Sequence, residues 1–279
     1  MIKPGIIYGN ALSAVAGFLL AAGLTKKFDT GLLLAFIAGT SLVIACGCVI
    51  NNYVDRDVDR RMARTKRRAL VTGRIRPLPA IIYGTGLGII GFWLLFTYTN
   101  RLTGLLGAIG LFFYLVMYGF WKRRSSMGTV VGSLSGAVPI AAGYTAVTDR
   151  FDRAALILFL VMVFWQMPHF YAIAMYRFKD YEAADLPVLP VKKGLRRTKL
   201  EILAYVLAFT IAAGLLTVFG YTGYVYLVVM LVLGGIWFAK GLGGFQTVDD
   251  KQWGRRMFMF SLVALLTLCL ALSVGALFP

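Results

Sequence analysis

The sequence predicts an all-α, polytopic membrane protein with nine transmembrane helices, on three observations. The 279-residue chain is 59% hydrophobic and only 15% charged, too apolar for an ordinary soluble domain. Apolar runs of about 20 residues recur along it, the length a helix needs to cross a hydrocarbon core. The runs lack strand-like alternation, and in lipid only helices and closed barrels satisfy every backbone group.

The expected spans cover 5–25, 31–52, 79–99, 102–121, 127–147, 154–176, 200–219, 222–241 and 257–277. Minimal loops, TNR at 99–101 and GYTG at 220–223, imply tight helical hairpins and alternate with long ones. Glycines recur in the spans (Gly84, Gly86, Gly88 and Gly91; Gly128, Gly132 and Gly136), where small residues let helices approach closely. No linker or low-complexity tract interrupts the pattern, so 1–279 reads as a single integral-membrane domain.

Charge fixes the orientation. Of the 29 Lys and Arg residues, 24 fall on the side that holds Lys3 and the loops after spans 2, 4, 6 and 8, and 5 on the other. The excess places the first side in the cytoplasm, with the N-terminus inside and the C-terminus outside. The net charge of +17 therefore follows membrane topology and requires no nucleic acid. MIKPGIIYGN leads straight into a full-length span with no A-x-A cleavage site, and no Arg- and Ser-rich transit peptide is seen. A bacterial plasma (inner) membrane is the expected location. Cys46, Cys48 and Cys269 lie within apolar spans and read as small packing residues.

Against this background the stretch NNYVDRDVDR, residues 51–60, stands out at the end of span 2. Asn51, Asp55 and Asp59 are spaced i, i+4, i+8 and share one helix face, each step rising about 6 Å. Asp57 points the other way. Two carboxylates and an amide oxygen are hard ligands suited to Mg²⁺, which keeps several waters and takes one or two carboxylates plus substrate phosphates. A purely structural alternative pairs Arg56 and Arg60 with Asp59 and Asp55. The loop that follows supplies Arg64, Lys66, Arg67, Arg68, Arg74 and Arg76, and acids and bases side by side bind a phosphate together.

A second acidic cluster follows span 6, four helices later and on the same membrane face: Asp180, Glu182 and Asp185, among Arg177, Lys179, Lys192 and Lys193. Asp180 and Asp185 are five apart, a poor fit to one helical face, and Pro187 and Pro190 put a helix end nearby. The pairing of acidic clusters hints at an internal duplication. WKRRSS adds Lys122, Arg123 and Arg124 to the same side, suited to diphosphate or propionate contacts. The only histidine, His169, sits in span 6 within WQMPHFYAIA. An ionisable residue there faces the protein interior or a cavity, as a packing residue, an axial ligand or a base.

These stretches resemble the intramembrane aromatic prenyltransferase (UbiA-type) superfamily, and within it the haem-farnesylating branch. The likeness rests on NNYVDRDVDRRMARTKRRALVTGRI, WKRRSSMGTVVGSLSGAVPIAAGY, WQMPHFYAIAMYRFKDYEAADLPVLPVKKG and the nine-span plan. It implies a UbiA-type helical bundle and transfer of a farnesyl group from farnesyl diphosphate to a vinyl group of haem b. It implies that Asn51, Asp55, Asp59 and Asp180 hold Mg²⁺ against the diphosphate, with Asp185 as a further candidate. Arg64, Lys66, Arg67 and Lys122 would bind diphosphate oxygens, with Arg123, Arg177 and Lys179 beside them, and His169 would contact the acceptor. Haem b enters as substrate, and a haem A synthase or oxidase assembly protein is the expected recipient of the product. Where many UbiA-type chains carry a second D-x-x-x-D, the residue four after Asp180 is Ala184, which favours Asp180 over Asp185. A quinone-precursor or chlorin acceptor is the alternative. A secondary transporter would hold its coupling residues near the bilayer midplane.

Overall fold

The computed structural model describes residues 1–275, and those residues are helical with no strand. Among the described residues, nine helices are long and apolar enough to span a membrane. In chain order they are α1 (Pro4–Thr25), α2 (Thr30–Val54), α4 (Pro77–Tyr98), the composite of α5 (Arg101–Phe112) and α6 (Tyr118–Trp121), α7 (Gly128–Thr148), α8 (Arg153–Tyr176), α10 (Leu189–Val218), α11 (Tyr224–Leu242) and α12 (Asp250–Gly275). Two six-residue helices, α3 (Arg56–Arg61) and α9 (Phe178–Ala183), follow α2 and α8.

The starts and stops have local causes. Asp29 caps α2 by accepting the Leu32 N–H at 3.0 Å. Asn100 caps α5 through the Thr103 N–H at 2.8 Å, and its amide also reaches the Thr145 carbonyl at 2.7 Å, tying the 99–101 hairpin to α7. Asp152 caps α8 through the Ala154 and Ala155 N–H groups and accepts the Tyr144 hydroxyl. Such caps satisfy amides that would otherwise stand unpaired at a helix start.

Two spans are longer than their apolar runs. The seventh begins at Leu189, not 200, because Pro190 sits in its first turn, where a missing N–H costs nothing. Its charged opening, PVKKGLRR, hides it from a hydrophobicity reading, and Gly194 at φ +79° kinks it. The ninth begins at Asp250, not 257, again through a charged helical turn. Its expected end at 276–277 lies outside the described residues.

The fourth span is interrupted. It runs as α5 (Arg101–Phe112), then a π-helical turn over Phe113–Met117, then α6 (Tyr118–Trp121). A π turn rotates everything beyond it relative to a regular helix, and such insertions occur often at functional sites. It brings Tyr114 and Tyr118 parallel, 6.0 Å between centroids and 6° between planes.

Glycines set the closest approaches. A β-carbon at Gly17 would lie 2.0 Å from the Ile140 carbonyl oxygen, and one at Gly143 would lie 2.0 Å from that of Ala14. α1 and α7 thus touch backbone to backbone, reciprocally. Gly84, Gly88 and Gly91 likewise face Val49, Cys46 and Gly39 of α2. Gly86, expected to join them, meets nothing within 4 Å because it points off that face. Cys46, Cys48 and Cys269 are buried and unbridged. Gly143→Val should therefore lower the thermal unfolding midpoint in detergent, costing about 1–3 kcal/mol or more through forced overpacking. Gly86→Val should leave the midpoint within 1 °C or so of the parent, since open space surrounds it.

Candidate active site

The i, i+4, i+8 face survives a break in the helix. α2 stops at Val54, and Asp55 takes φ −92° and ψ 7° before α3 begins. The Asp55 N–H still donates to the Asn51 carbonyl at 2.9 Å, and the Asp59 N–H to that of Asp55 at 2.8 Å. Helical register therefore passes through the break. Asn51 and Asp59 are buried and Asp55 is half-buried, whereas Asp57 is exposed on the other side, as its position in the repeat requires.

Each of the three oxygen-bearing groups already has a cation, and none is the expected Arg56 or Arg60. Lys122, from the end of the fourth span, places its ammonium 2.6 Å from Oδ2 and 2.5 Å from Oδ1 of Asp55. Arg68 donates to Asp59 at 2.6 Å and to Asn52 at 3.2 Å. Lys3 donates to the Asn51 amide oxygen at 3.0 Å. Arg123 grips Asp57 with two bonds of 2.8 and 3.0 Å and also reaches Asp55 at 3.5 Å. Arg56 instead lies over its neighbour Tyr53, 4.3 Å from the ring, and bonds that residue's carbonyl. Arg68 from the following loop and Lys122 from the fourth span take the places at Asp59 and Asp55 that Arg60 and Arg56 leave.

Electrostatics follow this arrangement. Burial pulls the Lys3 ammonium below its ordinary range, partly offset by nearby Asp55 and Asp59. The Arg123 hydrogen bonds hold the exposed Asp57 carboxyl below its ordinary value.

The second cluster repeats the first. After α8 a single residue, Arg177, leaves helical geometry at φ −106° and ψ 25°, and the six-residue α9 follows, just as Asp55 precedes α3. Each unit then returns through a loop to a helix with proline in its first turn, Pro77 or Pro190. The hint of duplication in the acids is thus matched in backbone.

Asp180 lies half-buried in the first turn of α9, and Asp185 is exposed at φ +52° beyond its end. Neither forms an ion pair among the described residues. Nor do three acidic, His or Cys side chains converge there, so Asp180 does not join Asp55 and Asp59 in one three-ligand group. Burial raises the Tyr181 phenol, and the Arg64, Asp180 and Arg177 charges lie near enough to act on it. Arg64, Lys66, Arg67 and Lys179 are exposed and carry no ion pair, while Arg177 stacks on Tyr176 at 4.5 Å.

His169 lies seven residues before the end of α8, about 10 Å back along the helix at 1.5 Å per residue. Its ring stacks on Trp165 (4.9 Å, 25°) and its Nδ1 is 2.7 Å from the Ser261 hydroxyl of α12.

Sequence reasoning missed Lys3 and the structural use of Arg68. The only visible signal for Lys3 was a lone cation directly before Pro4, which topology seemed to explain fully. Asn52 was also missed: its amide donates to the Met1 carbonyl at 2.6 Å, strapping the N-terminal residues onto the trio.

Hard oxygen ligands, buried and flanked by cations, form a site able to hold a divalent ion and a polyanion together. Comparison with known proteins points the same way. The UbiA prenyltransferase family profile matches residues 10–274. A protein named protoheme IX farnesyltransferase from Sodalis glossinidius (strain morsitans) is 50% identical over 99% of this chain and 93% of its own. Those so named from Protochlamydia amoebophila (strain UWE25) and Serratia proteamaculans (strain 568) are 47% and 49% identical over 98% of this chain, covering 95% and 92% of theirs. Among solved structures, a digeranylgeranylglyceryl phosphate synthase superposes with a TM-score of 0.78 at 19% identity, covering 96% of this chain and 92% of that one. A UbiA homolog from Archaeoglobus fulgidus bound to DMAPP and Mg²⁺ does so at 0.67 and 14% identity, over 95% and 96%. These two likenesses establish the fold.

Burial separates the ion pairs energetically. Asp59 keeps 7% of its side-chain exposure and Arg68 27%, so Arg68→Ala should strand a buried carboxylate and cost about 3 kcal/mol. Asp57 keeps 62% and Arg123 36%, and Arg123→Ala should cost under about 1 kcal/mol. Thermal unfolding of the two variants, measured side by side, checks the ranking.

Proposed function

This chain belongs to the UbiA prenyltransferase family, and on that premise we propose that it transfers the farnesyl group of farnesyl diphosphate to a vinyl group of haem b, giving haem O. Near-full-length identity to the protoheme IX farnesyltransferases carries the choice of acceptor. The whole of 1–279 acts as one integral-membrane prenyltransferase unit. It lies in a bacterial plasma membrane with its acidic and basic loops in the cytoplasm, where a soluble diphosphate headgroup meets them, and its C-terminus is outside.

The chemistry follows from charge. An allylic C–O bond breaks only when the departing diphosphate is neutralised, and fixed cations in a water-poor site do that with little reorganisation. Asn51, Asp55 and Asp59 are the oxygen ligands for Mg²⁺, which when bound would supply Lewis-acid neutralisation of the leaving group, and Asp180, which lies apart from them, would hold a second ion. The donor set fits the ion: every ligand is hard oxygen, and Lys122 and Arg68 now hold the positive charge these carboxylates require. Because Lys122 pairs with Asp55 through a flexible side chain, it can exchange that carboxylate for a diphosphate oxygen. Arg64, Lys66 and Arg67, which carry no ion pairs, bind the diphosphate directly, with Arg123, Arg177 and Lys179 at its edge. Asp185 plays no part in ligation, since it sits beyond α9 at left-handed φ and exposed.

The C–O bond electrons leave with diphosphate as C1 of the farnesyl group bonds to the terminal vinyl carbon. One water then adds to the cation beside the porphyrin and loses a proton, giving the hydroxyethylfarnesyl side chain. Both substrates are lipophilic, so a cavity among helices suits them. The product passes to a haem A synthase or an oxidase assembly protein.

Purified protein incubated with haem b, farnesyl diphosphate and Mg²⁺ should yield a hydroxyethylfarnesyl haem by mass, and EDTA should abolish it. Failure of a folded preparation to make this haem, with prenylation of a quinone precursor or chlorin instead, would overturn the acceptor assignment. Asp55→Ala should reduce turnover at least about 100-fold, a loss of roughly 2.7 kcal/mol of transition-state stabilisation, while the protein still inserts and elutes as the parent does.

A further inference from the structure

Ser261 is a residue that neither composition nor motif singles out, yet it carries three hydrogen bonds at the α8–α12 contact. Its carbonyl accepts the Trp165 indole N–H at 2.8 Å. Its hydroxyl lies 2.6 Å from the Phe258 carbonyl oxygen and 2.7 Å from His169 Nδ1. A hydroxyl has one proton. Two oxygens 2.6 Å apart need a proton between them, and a carbonyl can only accept, so the Ser261 proton points at Phe258. The hydroxyl is then left with lone pairs toward Nδ1, and Nδ1 must be the donor.

The tautomer is thereby fixed: His169 carries its proton on Nδ1, and Nε2 holds a free lone pair. Nε2 makes no hydrogen bond among the described residues, and the ring is only half-buried. Trp165 and Ser261 hold the ring in place, and Phe258 (5.2 Å) and Phe170 (5.5 Å) add flat apolar surface around it. A neutral imidazole whose far nitrogen is tethered to an oxygen acceptor is the arrangement that orients a metal ligand and raises its basicity.

We propose that Nε2 of His169 ligates the iron of the haem acceptor and so docks the porphyrin beneath the diphosphate site, with Ser261 as the positioning residue that selects the ligating tautomer. The inference rests on the haem-acceptor reading above. Iron ligation forms one bond and requires no electron transfer. His169 is the only histidine in the chain, so no other imidazole competes for the iron.

The test uses untagged protein, since a polyhistidine tag would supply imidazole. Haem b is bound without Mg²⁺ or farnesyl diphosphate, reduced, and examined by resonance Raman for the iron–imidazole stretch. The parent should show that band and His169→Gln should lack it. In Ser261→Ala the band should move to lower frequency, because Nδ1–H has lost its acceptor, and haem affinity should fall about 10–100-fold. Persistence of the band in His169→Gln, or an unmoved band in Ser261→Ala, would overturn the proposal. Should Ser261→Ala fail to fold, His169→Gln decides the iron bond alone. A parent that makes farnesylated haem without showing the band refutes only this inference, whereas a parent that makes no farnesylated haem refutes the acceptor reading beneath it.

Discussion

The ammonium of Lys122 and the carboxylate of Asp55 meet between the ends of the fourth and second spans, 67 residues apart in sequence. Around that contact the other site groups take their places. Carboxylates at the end of an apolar helix repel one another and cannot be left bare, because a buried unpaired charge costs several kcal/mol. The fold answers with one cation from each of three directions: Lys122 from the fourth span, Arg68 from the loop beyond Asp59, and Lys3 from the chain's first residues. The π turn upstream of Lys122 sets its bearing, so the irregularity in that span and the order of the site share a cause.

The same constraint explains where the acids lie. The bilayer tolerates helices and little else, and polar chemistry gathers where helices stop. Twice the chain stops a span, turns at a single non-helical residue and lays down a six-residue helix bearing acids, then re-enters through a helix with proline in its first turn. Both such ends carry acids, and the charge of Arg64 in the basic loop acts on Tyr181 of the second.

Much of this was legible in the sequence, for physical reasons. Lipid requires long apolar helices, so span number followed from hydrophobic length. The trio was legible because Asn51, Asp55 and Asp59 share a helical period, and that period survives the break at Asp55. What stayed hidden was tertiary. No spacing rule ties Lys3 to Asn51 across 48 residues or His169 to Ser261 across 92. Arg56 and Arg60 were the obvious partners by proximity, but Arg56 lies over Tyr53, and Arg68 and Lys122, more distant in sequence, hold Asp59 and Asp55. The charged first turns of the seventh and ninth spans were missed because a hydrophobicity reading sees the membrane and not the helix.

The most direct test of this account is a structure of the protein with Mg²⁺ and an unreactive farnesyl diphosphate analogue. The account predicts metal density against Asn51, Asp55 and Asp59, with the Lys122 ammonium moved from Asp55 to a diphosphate oxygen. A diphosphate bound elsewhere, with Lys122 still on Asp55, would contradict it.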